Sequence, residues 1–119
     1  MTTHDPQMLK GTLSLVLLQL VSDTEDYGFS IVVRLQERGF AELSEGTVYP
    51  ALTRLETNKL LSSRLVRSAS GPARKYYSIT SEGVAELARG LSSWHSFVAT
   101  VSTILPAPTA APTASGSTR

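Results

Sequence analysis

Seven apolar residues near the C-terminal end are spaced alternately three and four positions apart, and this pattern constrains the fold more than any other. They are Val84, Leu87, Leu91, Trp94, Val98, Val101 and Leu105. Such spacing places all seven on one face of an α-helix, as in a heptad seam that packs against another helix. Pro106 ends the pattern because the residue before a proline avoids helical geometry. The sequence therefore predicts a long amphipathic helix over residues 81–105 whose apolar face needs a partner surface.

Two helices are predicted in the N-terminal part of the chain. Apolar residues at helical spacing predict the first over residues 8–21. Tyr27, Ile31 and Leu35 repeat every four residues and predict the second. This helix is expected to end at Gly39, because glycine readily adopts the left-handed conformation found at helix C-termini.

A third helix is predicted to begin after Ser44, whose side-chain oxygen is expected to cap it. Its buried stripe is Val48, Leu52 and Leu55. Pro50 lies inside this helix and would crowd the carbonyl group of Gly46, where a glycine best absorbs the strain. The helix is therefore expected to continue through the proline as far as Asn58.

A basic β-hairpin is predicted next. Residues 63–67 and 74–79 are strand-like segments rich in β-branched and aromatic residues, and Ser70-Gly71-Pro72 between them is typical of a turn. A single acid, Glu56, lies among six basic residues of this region, which are Arg54, Lys59, Arg64, Arg67, Arg74 and Lys75. Positive charge concentrated in this way indicates an element that faces nucleic acid, with an ordinary solvated loop as the alternative.

Composition excludes several other kinds of protein. With 119 residues, of which 41% are hydrophobic, the chain is long enough for one domain with its own core. It has no cysteine, which excludes disulfides and thiolate metal sites. The longest nearly apolar run, residues 13–21, is about half of what spans a bilayer, so no membrane partner is expected. Residues 106–119 are mostly Pro, Ala, Thr, Ser and Gly and are predicted to be a disordered tail.

An enzyme is not predicted. The chain has only two histidines, His4 and His95. It shows no glycine-rich phosphate loop, no metal-ligand spacing and no serine-nucleophile motif. We therefore expect no catalytic residues, no metal site and no cofactor.

Three helices, a two-stranded hairpin and a long helix follow the order of a winged helix-turn-helix domain with an added oligomerisation helix. The predicted fold class is thus mostly α with a small β-hairpin. Residues 8–80 are interpreted as the DNA-binding domain and residues 81–105 as a C-terminal dimerisation helix. The major groove of B-form DNA admits one helix, and the phosphates beside it attract a basic hairpin. The third helix is therefore predicted to read bases and the hairpin to bind phosphates.

The candidate DNA contacts fall into two groups. Those on or just before the third helix are Ser44, Glu45, Thr47, Tyr49, Pro50, Thr53 and Arg54, and those on the hairpin are Arg64, Arg67, Gly71, Arg74 and Lys75. Because the first group contains one cation, we expect selectivity from hydroxyl and apolar contacts and affinity from the hairpin. Alternatives are that Tyr49 packs between helices and that Arg54 pairs with Glu56 or Asn58. A winged-helix module that binds a protein instead of DNA is also open.

Four motifs together resemble the PadR family of transcriptional regulators. In order they are Leu9-Lys10-Gly11-Thr12-Leu13, Tyr27-Gly28-Phe29, Gly46-Thr47-Val48-Tyr49-Pro50-Ala51-Leu52 followed by Arg54-Leu55-Glu56, and Arg74-Lys75-Tyr76-Tyr77-Ser78-Ile79-Thr80 followed by Glu82-Gly83. The resemblance implies a cytoplasmic winged-helix repressor that binds double-stranded DNA, dimerises through its last helix and leaves the DNA when an effector or another signal arrives. The chain departs from the family pattern at Gly46, where many relatives have a proline, and at Lys59, where a glycine is usual.

The resemblance also assigns the seam of the last helix, Val84 to Leu105, to a homodimer interface. A two-fold dimer would place two reading helices on one face of the DNA, about 34 Å apart, and predicts a palindromic operator. Aromatic residues of this helix line a pocket between subunits in some relatives, so Trp94 and Phe97 are candidates to stack on a small aromatic effector. The alternatives are that the seam packs within the chain, that the first helix covers part of it, and that Trp94 is a buried structural residue.

Overall fold

The computed structural model describes residues 4–108, which contain four helices and three strands. They are α1 (Pro6–Asp23), β1 (Asp26–Tyr27), α2 (Gly28–Glu37), α3 (Glu45–Thr57), β2 (Leu61–Ser68), β3 (Gly71–Ile79) and α4 (Ser81–Ser102). The predicted fold class, mostly α with a small β-hairpin, is confirmed. The predicted tail lies outside the described residues from position 109 onward.

One apolar core lies where α1, α2 and α3 meet the sheet. Its largest fully buried side chains are Leu17, Ile31, Leu35, Val48, Leu52 and Leu61. They include Ile31 and Leu35 from the predicted stripe of the second helix and Val48 and Leu52 from that of the third, because the helical period turns those positions toward the same interior. The remaining faces of α2 and α3 are thereby left to solvent.

Helix α1 begins two residues before the predicted start. Asp5 caps it, since its carboxylate accepts hydrogen bonds from the backbone N–H groups of Gln7 and Met8 at 2.8 and 3.4 Å. Pro6 occupies the first helical position, where its missing N–H costs no hydrogen bond. No helix within residues 4–108 is long and apolar enough to cross a membrane.

The sheet has three strands, in the order β1-β3-β2, whereas the sequence predicted a two-stranded hairpin. The prediction placed Tyr27 on the apolar stripe of the second helix, and this was wrong. Tyr27 lies in β1, opposite Tyr76 of β3, and α2 begins only at the next residue. A two-residue strand carries no periodic pattern, so the sequence could not reveal it.

Helices α2 and α3 end with the same hydrogen-bond pattern. Phe40 and Leu60 each donate a backbone hydrogen bond at 3.0 Å to the carbonyl group five residues earlier. The residue before each of them is left-handed, with φ of 117° at Gly39 and 65° at Lys59. The predicted helix end at Gly39 is thus confirmed, and the same position after α3 holds a lysine where glycine fits best.

The start of α3 and the hairpin turn differ in detail from the prediction. Ser44 occupies the cap position of α3, but its side chain makes no capping hydrogen bond. The helix continues through Pro50 as predicted. The hairpin turns at positions 69 and 70, where Ser68 pairs with Gly71, so Gly71 belongs to β3 and not to the turn. The Gly71-Pro72 sequence favours a turn, but the pairing of Gly71 with Ser68 extends the strand through this position.

Helix α4 is joined closely to the sheet. The Thr80 hydroxyl accepts a hydrogen bond from the backbone N–H of Gly83 at 2.9 Å and caps the helix. A Cβ at Gly83 would overlap the carbonyl oxygen of Leu60, so a glycine is needed for this approach. The helix ends at Ser102, and Leu105, predicted as its last residue, lies in the following turn.

Candidate nucleic-acid interface

The solvent-facing side of α3 carries every residue that the sequence predicted as a base contact. Val48, Ala51, Leu52 and Leu55 point into the core. All the predicted residues of this region lie outside the core and are exposed: Ser44, Glu45, Thr47, Tyr49, Pro50, Thr53 and Arg54. The start of the helix and its outer side thus present hydroxyl, aromatic, cationic and carboxylate groups to solvent.

An open groove of about 570 Å³ separates this helix face from the hairpin formed by β2 and β3, which we call the wing (residues 61–79). Its lining residues are Tyr27, Gly28, Phe29, Tyr49, Thr53, Arg74, Lys75 and Tyr77. The groove brings together two predicted contacts on α3 and two on the wing. It also contains Tyr27, Phe29 and Tyr77, which the sequence did not predict as site residues; the Tyr27-Gly28-Phe29 motif was the only signal for two of them.

Tyr49 packs between helices and faces the groove at once, so the two interpretations of this residue are not exclusive. Its ring lies against Gly28 at the start of α2, while 39% of the residue remains exposed. Its hydroxyl donates a hydrogen bond of 3.4 Å to a carboxylate oxygen of Glu45. Partial burial, and then the Glu45 charge, raise the pKa of Tyr49, so the phenol keeps its proton and remains a hydrogen-bond donor.

Arg74 of the wing stacks on an aromatic ring of β1. Its guanidinium carbon lies 4.5 Å from the centre of the Tyr27 ring, which in turn lies 5.3 Å from that of Tyr76. Stacking of this kind orients the guanidinium without neutralising its charge. No carboxylate within residues 4–108 forms an ion pair with Arg74, so the charge remains available to a phosphate.

Lys75, the neighbouring cation, is paired. Its Nζ lies 2.9 Å from Oε1 of Glu56 on α3. The other oxygen of this carboxylate accepts a hydrogen bond from the Ser63 hydroxyl of β2. The Ser63 hydrogen bond and then Lys75 lower the pKa of Glu56, and the bond to Glu56 raises the pKa of Lys75. Both groups therefore remain charged at neutral pH.

Arg64 is also paired, on the outer strand of the wing. Its Nε and Nη2 donate hydrogen bonds to the two carboxylate oxygens of Glu25, at 2.9 and 3.0 Å. This pairing lowers the pKa of Glu25 and raises that of Arg64. Of the predicted wing contacts, Arg64 and Lys75 are thus engaged by acids of the chain itself.

Arg54 and Arg67 are exposed and form no ion pair in the part of the chain that the structure describes. The alternative in which Arg54 pairs with Glu56 or Asn58 is therefore not found, because Glu56 bonds to Lys75 and Ser63 instead. Gly71 is exposed, and a Cβ there would lie 4.0 Å from the hydroxyl oxygen of Ser68. With Arg74, these residues make up the unpaired part of the predicted surface.

A partly buried ion pair fixes the start of α2 beneath this surface. The Asp26 carboxylate accepts hydrogen bonds from Arg34 at 3.1 Å and Ser30 at 2.7 Å, and Arg34 donates a second bond to the carbonyl of Leu20 at 3.0 Å. Asp26 also accepts from the backbone N–H of Tyr27 at 2.9 Å. This network holds in place the tyrosine on which Arg74 stacks, and the sequence did not predict it.

The seam of α4 divides into a covered part and an open part. Leu87 belongs to the core of the chain, and Leu91 is half-buried against it. Gly90 beside them lies so close to Leu15 of α1 that a Cβ would be 2.6 Å from a Leu15 methyl carbon. The alternative in which the first helix covers part of the seam thus holds for Leu87 and Leu91. The other seam residues, Val84, Trp94, Val98, Val101 and Leu105, are exposed or half-exposed.

A second cavity, of about 430 Å³, lies under α4 between α1 and the end of α2. It is lined by Thr12, Leu15, Val16, Gln19, Leu20, Asp23, Leu35, Arg38, Phe40, Leu91 and Trp94. Trp94, predicted as a ligand contact, lies at this cavity with 41% of its surface exposed. Phe97, the other candidate, does not line it and is exposed.

Comparison with known proteins identifies close relatives of this fold. The profile of the "Transcriptional regulator PadR-like family" matches residues 17–89. A PadR-like transcriptional regulator from Bacillus cereus is similar with a TM-score of 0.76 and 39% identity, covering 86% of this chain and 99% of that one. A PadR family regulator from Eggerthella lenta gives a TM-score of 0.77 and 30% identity, covering 86% and 88%. The transcriptional regulator Rv3488 of Mycobacterium tuberculosis is 36% identical over 78 residues, 66% of this chain and 71% of its own length.

Proposed function

Because the chain belongs to the PadR-like family of transcriptional regulators, whose members are regulators and not enzymes, we propose that it binds double-stranded DNA with α3 in the major groove and the wing on the flanking phosphates. One observation carries the proposal. Tyr49 and Thr53 of α3 open onto the same groove as the guanidinium of Arg74, which forms no ion pair within residues 4–108. A base-reading helix and a phosphate-binding cation can therefore engage one duplex together.

The residues divide into two roles. On α3, hydroxyls of Thr47 and Thr53 and the ring of Tyr49 supply hydrogen-bond and apolar contacts to base edges, beside the guanidinium of Arg54. On the wing, Arg74 and Arg67 bind phosphates, and Gly71 lets the backbone approach a strand closely. Ser44, Glu45 and Pro50 flank the reading surface at the N-terminal half of α3.

We further propose that two copies bind together. The open apolar part of the α4 seam supports a homodimer, because Trp94, Val98 and Leu105 would otherwise face water as one stripe. A two-fold dimer spaces its reading helices by about one helical turn of DNA and selects a palindromic operator. Residues 8–80 then act as the DNA-binding domain and residues 81–105 as the dimerisation helix.

The regulator is proposed to be a repressor that an effector removes from its operator. The cavity beside Trp94 is lined by apolar residues, among them Leu15, Val16 and Leu20 of α1, and by the polar side chains of Gln19, Asp23 and Arg38. A planar aromatic molecule with a polar substituent fits this chemistry, because the indole offers a stacking surface and the polar side chains offer hydrogen bonds. Occupation of this space would change how α4 lies on α1.

The DNA-binding proposal is tested by fluorescence anisotropy on a randomised duplex library at several salt concentrations. Arg74→Ala is expected to weaken binding to all duplexes alike and to make the salt dependence shallower, by about one unit of logarithmic slope per bound chain. Arg89→Ala, which removes the same charge from α4, should leave both quantities unchanged. Equal binding by wild type and Arg74→Ala would reject the wing assignment. No binding even in dilute buffer would favour a protein-binding module.

A further inference from the structure

Glu56 places a negative charge beside a cation of the proposed phosphate-binding wing. Its carboxylate extends from α3 to the wing and pairs with Lys75 Nζ at 2.9 Å. Ser63 donates to the second carboxylate oxygen from β2, so the group is held from two sides. Lys75 itself lines the groove together with Arg74.

The pair is not explained by stability alone. The side chains of Lys75 and Glu56 are 46% and 30% exposed, and ion pairs this open to water contribute little to folding. The neighbouring Arg74 has no acidic partner within the described range 4–108. Two adjacent cations of the wing thus differ sharply, one neutralised by the protein and one available.

We propose that Glu56 is a specificity-determining residue. It keeps Lys75 paired when the duplex has the wrong sequence, so that Lys75 contacts a phosphate only when α3 is fully inserted in the major groove. This inference rests on the proposed DNA-binding function. A phosphate can replace the carboxylate at Lys75 only at contact distance, because the attraction between charges falls with distance and is screened by salt within about 8 Å.

A loosely bound duplex of unrelated sequence does not bring a phosphate to that distance. There, Lys75 stays with Glu56, and the pair adds no attraction for the DNA. On a duplex of matching sequence, a phosphate replaces the Glu56 carboxylate as the partner of the Lys75 ammonium group. Glu56 then keeps its hydrogen bond from Ser63. The Lys75–phosphate contact is thus made in specific binding and is absent from nonspecific binding.

The test compares wild type and Glu56→Gln on two probes, a random-sequence duplex and the tightest duplex selected from a randomised library. On the random duplex, Glu56→Gln is expected to bind roughly three- to tenfold more tightly at low salt, with a logarithmic salt slope steeper by about 0.9 per bound chain. On the selected duplex the gain should be smaller, because Lys75 already contacts a phosphate there. The ratio of specific to nonspecific affinity therefore falls.

Glu86→Gln is the matched control, because Glu86 pairs with Arg89 on α4 and the substitution makes the same change of charge away from the groove. It should change neither slope nor affinity. Lys75→Gln provides a second test, in which the Glu56 carboxylate is kept but loses its ion-pair partner. It should reduce the salt slope on the selected duplex by about 0.9 per bound chain more than it changes the slope on the random duplex.

Unchanged or weaker binding of Glu56→Gln to the random duplex would overturn the inference, since Glu56 would then be neutral or would assist Lys75. The inference would also be overturned if Lys75→Gln reduced the salt slope equally on both duplexes. If thermal melting shows that Glu56→Gln is unfolded, the Lys75→Gln measurement alone decides the test. Wild type that binds neither duplex would reject the proposed function itself, which is a distinct result.

Discussion

The ring of Tyr49 lies directly against Gly28, in the space where any other residue would carry its side chain. A Cβ at Gly28 would be 2.8 Å from Cε1 of Tyr49, closer than carbon atoms pack in proteins. The start of α2 therefore sets the position of a proposed base-contacting ring on α3. This contact joins the two helices at the floor of the groove.

Gly28→Ala is expected to displace the Tyr49 ring and to weaken binding to the selected duplex by roughly tenfold, the size of one lost base contact. The melting temperature should change little, because alanine is well tolerated in a helix and the ring edge can move. Anisotropy and thermal melting measure the two effects. In a Tyr49→Ala background, Gly28→Ala should have no further effect on binding, and a second tenfold loss there would contradict this account.

Lys59→Gly is expected to raise the free energy of unfolding by about 0.5–1 kcal/mol. Lys59 is left-handed, with φ of 65°, and relief of that strain exceeds the extra entropy that glycine gives the unfolded chain. Gly39→Ala, at the equivalent position after α2, should lower the free energy of unfolding by about 1 kcal/mol. Urea denaturation measures both, and a less stable Lys59→Gly variant would count against the strain argument.

The sequence was sufficient to predict the order of the helices and the wing, because long periodic segments carry a strong signal. It could not reveal β1, which has two residues, nor the turn position, where Gly71 joins the ladder despite its turn preference. The acids that pair with Arg64 and Lys75 were missed for a different reason. Glu25 and Glu56 lie far from their partners along the chain, and only the fold brings them together.

Stability is expected to depend on pH through Glu56. Hydrogen bonds from Ser63 and Lys75 lower its pKa from the ordinary value of 4.5. A carboxyl group whose pKa is lower in the folded state stabilises the fold at pH values above its unfolded-state pKa. This contribution is lost as the pH falls through its folded-state pKa. The stability difference between wild type and Glu56→Gln should therefore be present near neutral pH and disappear at acidic pH. Melting curves across the acid range test this, and a constant difference would be inconsistent with it.

Trp94→Glu is expected to convert a dimer into monomers, because a carboxylate cannot be buried unpaired in an apolar interface without a large desolvation cost. Light scattering measures the molar mass directly. Ser96→Glu adds the same charge on the opposite side of α4, where Ser96 is exposed, and should remain dimeric. A Trp94→Glu protein that still dimerises would place the interface elsewhere.

Photo-crosslinking from α3 determines whether this helix enters the major groove of the DNA. A photoreactive amino acid replaces Thr53, which faces the groove between α3 and the wing, and in a second protein it replaces Arg89 on α4. With both proteins bound to the selected duplex, we expect crosslinks to DNA bases from position 53 and none from position 89. A complex that forms normally but gives no crosslink from position 53 would contradict the placement of α3 in the major groove.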